Sequence, residues 1–198
     1  MTPRIFINKV INRLKYIICK FTFRTQMIKG FKRYDGVYLP NTRIGNTTFI
    51  QGKNNLYIED NVFIAPNSSI DATYGLTIKE GVQIGFFSLI ATHSSHISIR
   101  LYGKEYGKVK DMIGYQTGPV YIGEYTFVGP HTVIMPQTKI GKGCIISAFS
   151  YVKGEFPDFS IIQGIPAKVV GDTRKLDEKY LKEYPELQKF YDEWAKRN

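Results

Sequence analysis

The chain has 198 residues, 43% of them hydrophobic and 22% charged, with a formal net charge of +10. That length suits one domain with a buried core, and two cysteines are too few for a disulfide framework, so reducing, cytoplasmic surroundings are the default expectation. No uninterrupted apolar run is long enough to span a bilayer, and no nucleic-acid-binding motif accompanies the basic charge.

The charge is gathered at the start. Residues 1–35 hold nine Lys or Arg against the single acid Asp35, which accounts for eight of the ten net positive charges. In the same stretch Ile7, Val10, Ile11, Leu14, Ile17, Ile18 and Phe21 fall at helical spacing and make one apolar stripe beside a basic face. Segment 1–35 is predicted to be a basic amphipathic helical element that caps the open end of the structure after it. A second use is peripheral contact with an anionic membrane, at its inner face. The scattered charges argue against a cleavable signal peptide.

A repeat of six begins at Ile44. Aliphatic residues recur at Ile44 and Ile50, then Ile58, Ile64 and Ile70, then Ile78, Ile84 and Ile90, and finally without a miss at Ile122, Val128, Ile134, Ile140, Ile146 and Val152. Helix requires a spacing near 3.6 and a plain half-buried strand a spacing of 2, so six residues must cover one short extended face and one corner. Three such faces close a triangular coil, and stacked coils share a core that no single coil could bury. Small residues four places on (Thr126, Thr132, Thr138, Cys144, Ser150) fill the narrower interior position. Glycine after the aliphatic residue (Gly123, Gly129, Gly141) is expected to give the corner its backbone freedom. The eight-residue steps from Ile50 to Ile58 and from Ile70 to Ile78 read as bulged corners. The solenoid is assigned to residues 36–171.

The large break, between Ile90 and Ile122, is a loop over 93–118 that starts at Thr92-His93-Ser94-Ser95-His96 and is rich in Gly and Tyr. A long excursion from a rigid scaffold is usually functional. After Gly164-Ile165-Pro166-Ala167-Lys168 the repeat stops. Asp172 or Thr173 is placed to cap a helix through Leu176, Tyr180, Leu181 and Tyr184, Pro185 interrupts it, and a second short segment carries Leu187, Phe190, Tyr191 and Trp194. Residues 172–198 are read as a helical tail.

With this repeat, loop and ending, the chain resembles the hexapeptide-repeat acyltransferases, in the branch of galactoside, maltose and nodulation-factor acetyltransferases. The resemblance implies an all-β solenoid, a left-handed parallel β-helix, whose hand periodicity cannot supply. It also implies a homotrimer with sites between subunits and acetyl-coenzyme A as co-substrate, with no metal required. In such enzymes the histidine just past the last regular corner is the base, here His93, with His96 as the rival. A base titrating near neutrality suits removal of a hydroxyl proton as the oxygen attacks a thioester. For the donor the resemblance points to Phe127, where the family has Trp, and to Gly129, Ala148, Lys153 and Lys168, the last two facing phosphates. Ser147, Phe149 and Gly154 depart from the family pattern.

For the acceptor, a free or lipid-linked saccharide in surface-polysaccharide synthesis, Asn67, Asp71, Tyr102 and His96 are candidates, with Tyr106 and Tyr115 beside them. Asn67 has the competing reading of a corner residue that tolerates unusual backbone angles. Two other classes stay open. The three histidines His93, His96 and His131 would suit a γ-type carbonic anhydrase-like zinc enzyme, and the departures in the donor stretch would suit a catalytically silent β-helix scaffold.

Overall fold

A computed structural model gives the structure of residues 24–197, with Ile11, Arg13 and Leu14 the only described positions before them. Successive short strands step around three faces. Phe63–Ile64, Gln83–Ile84, Phe127–Val128 and Ile145–Ile146 stack in parallel on the first. Ser69–Asp71, Leu89–Ile90, Val133–Ile134 and Tyr151–Val152 stack on the second. Leu56–Ile58, Leu76–Ile78, Val120–Ile122 and Thr138–Ile140 stack on the third. The result is a triangular parallel β-helix.

Register follows the repeat. Ile122 pairs with Ile140, Val128 with Ile146 and Ile134 with Val152, so each of these coils takes eighteen residues. Ile58 pairs with Ile78, Ile64 with Ile84 and Ile70 with Ile90, so the earlier coils take twenty. The surplus sits at one corner, between the second and third faces, where a 3-10 turn at Lys53–Asn55 absorbs it in the first coil. Ile84 pairs with Val128, forty-four residues on, and the same corner carries the whole excursion.

The core is the inward ladder. Ile58, Ile64, Ile70, Ile78, Ile84, Ile90, Ile122, Ile134, Ile140 and Ile146 are fully buried. Burying such a side chain contributes roughly 1.5–3 kcal/mol, and in a solenoid each contribution depends on the coil above and below. The small interior residues do more than save space. Thr126 Oγ1 donates to the Gly141 carbonyl (2.9 Å) and Ser150 Oγ to the Ser147 carbonyl (2.7 Å), which satisfies corner carbonyls that no strand reaches. Cys144 takes the same position, and burial pushes its thiol up to about 11, so it stays protonated and packs as a small apolar group.

The corner glycines have a different reason from the one expected. Gly123, Gly129 and Gly141 do not adopt positive φ; a Cβ on Gly129 would stand 2.5 Å from the Ala148 nitrogen, so these positions are bare because the next coil's backbone lies against them. The left-handed conformation falls instead to Asn67, Phe87, His131 and Phe149, at φ of 58–61° on the corner between the first and second faces.

Both ends of the first sheet are closed by hairpins. β1 (Met27–Lys32) runs antiparallel to β2 (Tyr38–Gly45), whose last residues join the first coil, and at the far end Ser160–Gly164 pairs antiparallel with Ala167–Asp172. The N-terminal expectation is corrected here. Residues 27–32 form a strand, so the β-structure begins before residue 36. Of the apolar stripe only Ile11 and Leu14 are described, helical and exposed, and the rest lies outside the described residues.

Three α-helices complete the chain after the first coils: α1 (Ser98–Tyr102) in the excursion, α2 (Thr173–Glu183) and α3 (Gln188–Ala195) in the tail. Asp172 caps α2 by accepting from the Arg174 nitrogen at 2.9 Å, and Pro185 opens the 3-10 turn between α2 and α3. The tail folds back on its own coils. Trp194 stacks on Tyr125 with ring centres 4.8 Å apart, and Arg197 pairs with Glu80 at 2.7 Å.

Ile134→Ala removes one rung of the ladder from a site with no room to collapse. It is expected to cost about 2–5 kcal/mol of unfolding free energy, read as a lower urea midpoint.

Candidate active site

The corner that carries the excursion also carries His93. The chain leaves the coil at Thr92, and His93–Ser94 pairs antiparallel with Gln116–Thr117, so the loop is closed at its neck by a two-residue ladder. Three contacts tie that neck to the scaffold. Gly118 N donates to the Thr92 carbonyl (3.0 Å), Gln137 Nε2 to the Thr117 carbonyl (2.8 Å), and Lys153 Nζ to Gln116 Oε1 (3.1 Å). His93 thus stands on a held strand rather than on a free loop.

Behind the imidazole lies Asp71. Its Oδ2 is 2.7 Å from His93 Nδ1, close but out of line with the ring N–H, and Nδ1 is shut off from solvent. Asp71 also accepts from Thr73 N and Thr73 Oγ1 through Oδ1, and from Thr92 N (2.9 Å) and Thr92 Oγ1 (2.7 Å) through Oδ2. Burial works against ionisation of this carboxyl, but the hydrogen bonds from Thr73 and Thr92 outweigh it and hold the carboxyl at about 2. A permanent carboxylate beside Nδ1 favours the proton there and leaves the lone pair on Nε2, which has no hydrogen-bond partner among the described residues and reaches solvent.

Two tyrosines wall the ring. Tyr115, from the excursion, lies nearly parallel with its centre 5.8 Å away, and Tyr74, from the coil, is tilted at 5.9 Å. Burial first, and then Tyr74, hold the Tyr115 hydroxyl above its usual range, so it stays neutral. Thr73, Tyr74 and Thr92 went unrecognised in the sequence. The one available signal was Asp71-Ala72-Thr73, a spacing at which a carboxylate caps the backbone two residues on.

Several expected residues stand elsewhere. Asp71 does not face an acceptor; its oxygens are taken by Thr73, Thr92 and His93. His96 is exposed, with Nδ1 2.8 Å from Ser94 Oγ and no carboxylate. Tyr102 closes the excursion on itself, its hydroxyl accepting from Ile113 N at 2.9 Å. Asn67 occupies a left-handed corner. His131 lies on the corner between the first and second faces, stacked between Phe87 and Phe149, so the three histidines are not gathered in one chain. Among the described residues no group of three His, Cys, Asp or Glu is set to hold a metal.

The expected donor residues divide. Phe127 is 44% exposed on the first face and lines a hollow of about 190 Å³ with Phe63, Gln83, Phe86 and Pro130. Register sets Ile146 beside Val128 and Ile162 beside Ile146, and Lys168 pairs with Gln163, so Phe127, Gly129, Ala148 and the exposed Lys168 follow one strip along that face and its corner. Lys153 does not belong to it; it binds the loop neck one corner away. A wider hollow of about 710 Å³ on the third face, against Tyr121, Lys139 and Lys142, contains none of the expected site residues.

Comparison with known proteins adds a family. The sequence model of the bacterial transferase hexapeptide (six repeats) matches residues 119–154. A Mycobacterium tuberculosis protein named as an acetyltransferase is 29% identical over 150 residues, covering 72% of this chain and 48% of that protein. An Escherichia coli protein named as a lipopolysaccharide biosynthesis O-acetyl transferase is 26% identical over 121 residues, covering 55% of this chain and 59% of that protein. The chain spans about half the length of the curated relatives it matches. Among solved structures, a galactoside acetyltransferase in complex with coenzyme A superposes with a TM-score of 0.52 at 23% identity, over 66% of this chain and 62% of that one. Likeness to such structures implies that the β-helix is left-handed.

A carboxyl ionised down to about 2 when folded, against 3.8 ordinarily, contributes stability above about pH 4 that is lost as the pH falls towards 2. Asp71→Asn should therefore lower stability at neutral pH by roughly 2–3 kcal/mol and flatten its fall between pH 4 and pH 2, as measured by urea unfolding across that range.

Proposed function

We propose that this chain, a member of the hexapeptide-repeat family, moves an acetyl group from acetyl-coenzyme A to a saccharide hydroxyl with His93 as general base. The observation that carries this reading is the 2.7 Å contact between His93 Nδ1 and the buried, ionised Asp71, with Nε2 left open. The relatives named as acetyltransferases and the coenzyme A complex of the galactoside enzyme support the donor. The Escherichia coli relative supports a polysaccharide setting.

In the proposed reaction Nε2 takes the proton of the acceptor hydroxyl as its oxygen bonds to the thioester carbonyl carbon. Backbone N–H groups stabilise the oxyanion that forms. The carbon–sulfur bond then breaks, and the imidazolium returns its proton to the sulfur, giving free thiol and the acetyl ester. Asp71 stabilises the imidazolium between these two transfers, as the carboxylate does in a triad. Water is kept from the ring on two sides by Tyr74 and Tyr115.

The base stands at one corner and the strip of Phe127, Gly129, Ala148 and Lys168 at another. A threefold assembly, the arrangement of this family, would bring the strip of one subunit to the base of the next. A cytoplasmic setting fits a reduced Cys144 and the thioester donor.

The test is thiol release from acetyl-coenzyme A against a panel of glycans and amino sugars. His93→Ala is expected to lose about 10²–10⁴-fold in turnover while His96→Ala stays near wild type. Equal turnover in wild type and His93→Ala would remove His93 from the chemistry. Wild type that neither releases thiol with any acceptor nor binds coenzyme A would leave a scaffold.

A further inference from the structure

The reaction leaves one feature of the chain unused: its basic N-terminal end. In the described part of that end, Arg24, Lys29, Lys32 and Arg43 are exposed and enter no ion pair among the described residues. The one acid between residues 24 and 43 is Asp35, and it is held by a two-pronged contact from Arg33, at 2.9 Å to Oδ1 and 2.6 Å to Oδ2, so it neutralises none of the other four.

The register makes the arrangement costly. Lys29 of β1 stands directly opposite Arg43 of β2, and like charges facing each other across two strands repel. Nothing within the described chain offsets this pair except the ring of Phe63, 5.3 Å from the Arg43 guanidinium. An anion brought from outside would offset it. At the tip and outer side of the same hairpin, Tyr34 and Tyr38 are 68% and 62% exposed, far more than a tyrosine needs for its hydroxyl alone. Amphipathic rings beside free cations are the composition of a surface that sits at the level of lipid headgroups. The preceding residues 1–23 add five Lys or Arg and no acid in sequence.

We propose that the β1–β2 hairpin docks on an anionic membrane surface, with Lys29, Lys32 and Arg43 meeting the headgroups and Tyr34 and Tyr38 at the interface. The contact is peripheral, since no helix among the described residues is long and apolar enough to cross a membrane. It sits at the end of the solenoid, away from the corner that bears His93, and it does not depend on the reaction proposed above.

The experiment is co-sedimentation of the full chain with vesicles of one part phosphatidylglycerol to three parts phosphatidylcholine, and with phosphatidylcholine alone, at low and high salt. Wild type is expected to bind the anionic vesicles, to lose binding as salt rises and to ignore neutral ones. Each cation lost should weaken partitioning roughly fivefold, so Lys29→Glu with Lys32→Glu should weaken it at least about 25-fold. Lys29→Arg with Lys32→Arg should keep it. Circular dichroism and thiol release with a soluble acceptor, unchanged in both variants, would show that the fold is intact. Equal binding to neutral vesicles overturns the proposal. So does a charge-reversed variant that binds like wild type, which would assign the contact to residues 1–23. A DNA oligonucleotide that displaces the protein from vesicles at equal phosphate concentration would make the surface a nucleic-acid site and overturn it as well.

Discussion

Everything in this molecule rests on one constraint: each inward apolar residue must lie over the inward apolar residue of the next coil. The ladder is continuous from Ile58 to Ile162, and all its members are buried. A displacement of one residue in any coil would turn its apolar side chain outward and bring a polar one into the triangle. The bare corners at Gly123, Gly129 and Gly141 belong to the same constraint, because the coils can lie at strand spacing only where one backbone fits directly against another.

That rigidity explains where variation is allowed. The faces cannot change length, but a corner can, provided the chain returns in register. All the surplus residues of this chain leave from a single corner: two in each of the early coils, and then the long excursion. His93 therefore stands where the scaffold is most permissive, while Asp71 and Thr92, hydrogen-bonded to each other behind it, lie on the regular coils. The excursion in turn depends on the coils that follow it, through Gln137 and Lys153.

The fold was legible because a period of six has one geometric solution, and the ladder, the bulged corners and the loop could all be placed from spacing. The place of His93 at the start of the loop was legible from the break in the repeat. The partner of His93 was not. Asp71 and His93 are separated by a whole coil, and only stacking brings them together, so Asp71 read as a residue facing substrate when it faces the imidazole. Lys153 was misjudged for a related reason: its neighbours in sequence match a donor segment, yet the side chain leans towards the loop neck on an adjacent coil. The corner glycines Gly123, Gly129 and Gly141 were assigned to torsional freedom because that is the commoner need, whereas left-handed corners fall to other residues, among them Asn67, for which the sequence offered that reading, and Phe87, His131 and Phe149, for which it offered none.

The hairpins at the two ends have a bearing on how copies meet. For a second β-helix to continue the first, all three faces must offer parallel edges at once. The antiparallel strands Met27–Lys32 and Ala167–Asp172 break that offer on one face at either end. On that face, at either end, the parallel stacking of the β-helix therefore stops at an antiparallel strand.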